Sequence, residues 1–204
     1  CIEPDNRNHK TLMKNFESLK CKKKLFLKAL SSDVSKIFIQ KEKKTNLSKI
    51  SMKYDKGING SYVETINLEY LINNLGSDEV KKFKLIRMDI EGHEVEVLDN
   101  ISKNLEYFSN LDILFEVHTE YYDLDKFRNI LNKFRNTHSF AKLVSAGNSK
   151  LERFGQKKLS PNLILESDGF KRGLYRNIEF SGGIDLVLTL PREVRYAYLK
   201  RNNN

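Results

Sequence analysis

The 204-residue sequence predicts an α/β fold: three layers, with a mostly parallel sheet and an antiparallel C-terminal edge. Three observations predict it. Strand and helix patterns alternate through the first two thirds, which calls for crossover helices on both faces of a parallel sheet. The segment 83–90 is apolar enough for burial on both faces, as central parallel strands are. The final third reads as strand after strand. No repeat, glycine-serine linker or low-complexity tract divides residues 1–204, so one domain is expected.

The elements follow in order. Residues 1–4 read as a strand end, after which Leu12, Phe16 and Leu19 share a helical face at i, i+4 and i+7. Short apolar runs at 25–30 and 36–40 read as strands separated by the turn-forming Ser31-Ser32-Asp33, and a basic loop follows. Residues 61–66 form a further strand, and Asn67 caps a helix over 68–75 that Gly76 ends. The strand at 83–90 turns through Glu91-Gly92 into a helix reaching Leu98, and 111–117 is the next strand. An amphipathic helix over 123–134 turns Leu124, Phe127, Ile130, Leu131 and Phe134 inward. Strands are expected at 141–145, 162–166 and 184–190, where Pro191 stops the last and leaves a basic tail.

Composition narrows the function. With 39% hydrophobic and 31% charged residues the chain is a folding one, not a disordered one. The net charge of +9 gathers at residues 20–28, 41–44 and 192–201, either as a solvated surface or as an attractor of phosphate or acidic membranes. No recognition helix, zinc-finger spacing or aromatic platform accompanies it, so nucleic acid is not the expected partner. Cys1 and Cys21 are too few for a disulfide framework or zinc site, and no apolar run approaches the roughly 18 residues needed to span a bilayer. A cytoplasmic protein is expected, and a start at Cys1 inside a strand reads as a cut N-terminus.

In open α/β sheets ligands sit beyond the carboxyl ends of the strands. Three such ends carry polar groups: Glu3, Asp89 with Glu91, and Glu116 with His118. Glu3 either accepts hydrogen bonds from a ribose diol or serves as a turn residue before Pro4. Asp89 either pairs with Arg87 on one strand face or faces a reaction centre, with Gly92 permitting the tight turn and Glu91 and Glu94 near the positive helix start. His118 shares a face with Glu116, so one can orient the other; it is a proton acceptor or a structural histidine. His9 and His138 read as surface residues.

Together these segments resemble the FkbM-type methyltransferase family. Ile2-Glu3-Pro4-Asp5 is similar to the family's Phe-Glu-Pro-Asn element, and Lys28-Ala29-Leu30-Ser31 to its Ala-Leu-Ser. The segment from Val63 to Leu68 resembles its Val-x-Thr-hydrophobic-x-Leu stretch. The strongest match runs from Leu85 to Leu98 against Lys-Ile-Asp-Val-Glu-Gly-x-Glu-x-x-Val-Leu, with Arg87 in place of the usual lysine, and Leu114 to His118 is similar to the Leu-x-Glu-hydrophobic-His strand.

The resemblance implies a Rossmann-like class I methyltransferase sheet whose first strand and glycine-rich turn would precede Cys1. It also implies S-adenosylmethionine as cofactor and a hydroxyl of a sugar, glycolipid or polyketide-like molecule as acceptor. Cofactor contacts are then expected from Glu3, Leu30, Ser31 and Asp89. Asp89 would orient or deprotonate the acceptor, His118 would be the alternative base, and Glu91 and Glu116 would hold the constellation in place. No metal ligand belongs to this reading. Two rivals stand beside it: a metal-assisted enzyme using Asp89, Glu91 and His118, and a non-enzymatic basic module on a decayed cofactor site.

Overall fold

A computed structural model describes residues 1–40, 49–51, 59–145, 161–167, 170–189 and 194–202. The chain forms two compact units, Cys1–Gly76 and Ser77–Asn204. The basic cluster at 41–44 and Pro191 lie outside the described residues.

In the first unit, Asp5 caps helix α1 (Asn6–Glu17) by accepting the Arg7 N–H at 2.8 Å. The helix stops before Leu19, which is 48% exposed instead of packing with Leu12 and Phe16. Of the strand expected over 25–30, only β1 (Ala29–Leu30) and an isolated parallel bridge from Ile2 to Phe26 form. Strands β2 (Lys36–Gln40), β3 (Lys49–Ser51) and β4 (Gly60–Ile66) complete a sheet of order β1-β4-β2-β3. Helix α2 (Leu68–Leu75) begins and ends as the sequence predicts. The Asn67 side chain accepts the Tyr70 N–H at 2.8 Å, and Gly76 takes the left-handed φ of 88° that stops the helix.

In the second unit, α3 (Ser77–Val80) precedes β5 (Leu85–Met88), α4 (Glu94–Ser102), β6 (Asp112–Glu116) and α5 (Leu124–Lys133). The chain continues through β7 (His138–Ser145), β8 (Leu163–Ser167), β9 (Phe170–Ile178), α6 (Phe180–Thr189) and β10 (Val194–Arg201). The sheet order is β5-β6-β10-β7-β9-β8. Its core is aromatic: Phe115 of β6 meets Phe127 of α5 edge-on with ring centres 6.3 Å apart, and Phe108, Phe134 and Phe140 are buried with them.

Four expectations need correction. The sheets are not mostly parallel. Only β1 with β4 and β5 with β6 run parallel among the described strand pairs; β2 pairs antiparallel with β3 and β4, and β10, β7, β9 and β8 form an antiparallel run. The expected strand at 184–190 lies mostly within helix α6, because burying Ile184, Val187 and Leu188 while exposing Asp185 suits a helical period better than a strand's. The basic tail contains β10, which lies between β6 and β7 and buries Val194, Ala197 and Leu199 with Arg195 and Lys200 turned outward. Finally, β5 is not buried on both faces: Met88 is buried, but Leu85 is 53% exposed and Arg87 is exposed beside it.

Candidate functional site

The second unit gathers four of the expected residues. Strand β5 runs out at Met88 and delivers Asp89, and the adjacent parallel strand β6 ends on Glu116 and delivers His118 two residues on. Between Asp89 and helix α4 the chain makes a tight turn in which Glu91 has φ 52° and Gly92 φ 102°, both left-handed. Gly92 is needed twice over, for its φ and for space: a Cβ there would stand 2.7 Å from the Cβ of Tyr121.

Glu94, the first residue of α4, organises the cluster. Its side chain is fully buried and its oxygens are saturated: Oε1 accepts Ile90 N–H at 2.9 Å and His118 Nδ1–H at 3.1 Å, while Oε2 accepts Gly92 N–H at 3.0 Å and the Tyr122 hydroxyl at 2.9 Å. Burial alone would raise its pKa, but the His118 and Ile90 hydrogen bonds outweigh it and hold the carboxyl below the usual range. An ionised carboxylate only accepts, so Nδ1 carries the proton of a neutral His118 and the lone pair sits on Nε2.

His118 is 3% exposed. Burial works against its charged form, but Glu94, then Glu91 and Glu116, raise its pKa above the ordinary imidazole value. Nε2 stands 3.7 Å from Glu91 Oε2 and 3.8 Å from Glu116 Oε1. Burial and the neighbouring Asp89 carboxylate push Glu116 up, while the Arg195 guanidinium of β10, paired with Glu116, pulls the other way. Asp89 remains partly exposed and also meets Arg87, 3.2 Å away, so the strand-face ion pair exists.

The structure brings Asp89, Glu91, Glu116 and His118 together, with Glu116 Oε1 3.8 Å from His118 Nε2, and adds a partner that sequence reasoning did not assign to the ring. Glu94 holds the imidazole, and Glu116 also pairs with Arg195. Glu94 was legible only as an acidic residue near a helix start, and neither Tyr122 nor Arg195 carried a sequence signal. His138 is not at the surface: it is 1% exposed, with Nε2 2.9 Å from the Leu111 carbonyl and Nδ1 2.9 Å from the Thr137 hydroxyl.

The remaining candidates belong to the first unit. Glu3 Oε1 accepts the Asp5 N–H at 2.7 Å and the carboxylate also meets Asn8, so it does act as a turn residue. A carboxylate offers about four acceptor positions, so two donors leave room for a ribose diol. Leu30 is half-buried and Ser31 buried at the carboxyl end of β1, with Ser31 N–H bonded to the Ile66 carbonyl at 2.8 Å. An acceptor carboxylate, an aliphatic wall and a hydroxyl fit the adenosine part of a nucleoside cofactor in kind.

Carboxylates and an imidazole beyond the carboxyl ends of neighbouring parallel strands occupy the position where open α/β enzymes hold their substrates. Comparison with protein families makes this specific. The model of the methyltransferase FkbM domain matches residues 2–140, and the chain belongs to that family. No curated protein and no solved structure gave a match. Among the described residues no helix is long and apolar enough to cross a membrane.

Proposed function

We propose that the chain transfers the methyl group of S-adenosylmethionine to a hydroxyl of a sugar, glycolipid or polyketide-like small molecule in the cytoplasm. The observation that carries this reading is the span of the family match. Residues 2–140 cross the boundary between the two compact units and include Glu3, Leu30, Ser31, Asp89, Glu91, Glu116 and His118. The reading takes residues 1–204 as one methyltransferase domain, of which the family match covers 2–140.

The bound cofactor supplies an electrophilic methyl group on sulfur, and the protein supplies position and a destination for one proton. Glu3 accepts the ribose hydroxyls, and Leu30 and Ser31 line the adenine side. Asp89, partly exposed, accepts the acceptor hydroxyl and fixes its oxygen. His118 Nε2 is the alternative base, because Glu94 occupies the other ring nitrogen and Glu91 and Glu116 favour the imidazolium that proton uptake creates.

Calorimetry of the chain with S-adenosylmethionine, compared with a Glu3→Ala variant, tests the cofactor assignment. The reading expects binding that weakens at least about tenfold in the variant, the loss of one charge-assisted contact to the ribose. Equal affinity in both would remove Glu3 from the site.

A further inference from the structure

We propose that Asp89, Glu91 and His118 form a binding site for one divalent metal ion. One ligand atom from each of these residues lies within 4.8 Å of the other two. Two ligands about 2.1 Å from a common ion stand at most about 4.2 Å apart. The gap between Glu91 and His118, 3.7 Å, is already within that limit, and the longest needs closure by some tenths of an ångström, within the reach of the partly exposed Asp89 side chain.

The independent sign of a ligand is His118 itself. The residue is 3% exposed and its Nδ1 is committed to Glu94, which leaves Nε2 as the ring atom turned toward the other carboxylates. Carboxylate oxygens of Glu91 and Glu116 face Nε2 at 3.7 and 3.8 Å. An imidazole that gives one N–H to a buried carboxylate and turns the other nitrogen toward further carboxylates is the arrangement in which histidine holds a metal, with Glu94 fixing the ring. Carboxylates on this side of the ring favour positive charge at Nε2, whether a proton or a metal ion, and a titration with a metal ion tells the two apart.

Charge selects the ligand set and the ion. Glu116 is engaged by the Arg195 guanidinium and is not one of the three groups whose ligand atoms lie together. Asp89 and Glu91 then contribute two negative charges and His118 none, which suits a divalent ion. One imidazole with two carboxylates suits manganese, iron, cobalt or zinc better than the all-oxygen preference of calcium and magnesium. For the proposed reaction, such an ion would hold and acidify the acceptor hydroxyl, with His118 a ligand instead of a base. That consequence rests on the methyltransferase reading, whereas ion binding does not.

The test is a titration of the chelator-stripped chain with MnCl2, followed by electron paramagnetic resonance. The site predicts one bound equivalent and nitrogen modulation from a coordinated imidazole. Glu91→Gln should weaken binding by at least about tenfold, in keeping with losses seen when metal sites are disturbed, and His118→Gln should remove the nitrogen modulation. Circular dichroism checks that each variant is folded. Should His118→Gln not fold, the half-buried Glu91 position still decides the matter. A folded wild-type chain that binds no Mn2+, or binds it without nitrogen modulation and with equal affinity in Glu91→Gln, overturns the proposal. A chain that binds Mn2+ as described but transfers no methyl group supports the site and removes the reaction.

Discussion

His118 Nδ1 donates to Glu94 Oε1 across 3.1 Å, joining the segment after β6 to the first turn of α4 in a contact closed to solvent. Because Glu94 also takes two backbone N–H groups from the turn at Ile90 and Gly92, one carboxylate fixes both the turn that presents Glu91 and the ring that faces it.

Glu94→Gln keeps the shape but replaces one acceptor oxygen with a donor. Disrupting a buried, fully hydrogen-bonded carboxylate in this way should cost about 3 kcal/mol of folding stability. Urea unfolding measures it, and methyl transfer in the folded fraction should fall with it because the ring is no longer held in one tautomer. A loss below about 0.5 kcal/mol, the level of an ordinary surface change, would mean that Glu94 is not the organiser.

Gly92→Ala meets two obstacles, the φ of 102° and the Tyr121 side chain 2.7 Å from the new Cβ. Strain of this kind costs on the order of 1–3 kcal/mol. The expected result is a lowered urea midpoint, since relief requires Tyr121 or the turn to move. An unchanged midpoint would show that the turn relaxes freely.

His138 gives the fold a dependence on pH. Burial lowers its pKa below the free value of 6.5, so as pH falls through that value the unfolded chain takes up a proton before the folded one. The stability tied to neutral His138 is therefore complete above about pH 6.5 and is lost as pH falls toward the folded value. Between about pH 7.5 and pH 5.5, a window around that free value, the urea midpoint of the wild type should drop more than that of His138→Gln. Equal drops would place the pH dependence elsewhere.

Adjacent glycines in α6 test the helix that replaces the expected strand. A Cβ at Gly182 meets only Ile178 Cγ2 at 3.9 Å, so Gly182→Ala should stabilise by up to about 1 kcal/mol through helix propensity. A Cβ at Gly183 would stand 2.4 Å from the Phe140 ring, and Gly183→Ala should destabilise by about 1–3 kcal/mol. Thermal unfolding of both variants gives the comparison, and shifts of the same sign would contradict the helix packing.

What was readable in the sequence was local. Asn67 and Gly76 carry their capping chemistry in their identity, so α2 was placed to the residue. Strand β10 was hidden because register shifts between Val194 and Tyr196 and between Tyr198 and Leu199 break the period-two alternation, leaving only the look of a basic tail. Helix α6 was hidden because a short apolar run has no period long enough to separate helix from strand. The strand-end rule brought Asp89, Glu91, Glu116 and His118 to one place. The bond between Glu94 and His118 was not legible, because 24 residues separate them and only the pairing of β5 with β6 brings them together. A lone histidine such as His138 likewise bears no mark of burial.

The most direct measurement is transfer of label from methyl-tritiated S-adenosylmethionine to a panel of hydroxylated sugars, glycolipids and polyketides, comparing the chain with Asp89→Asn and His118→Gln. The account predicts labelled product with the wild type and a loss of at least about a hundredfold, the usual contribution of a positioned acid or base, in one or both variants. A folded wild-type chain that neither binds the cofactor nor labels any acceptor, or variants as active as the wild type, would contradict it.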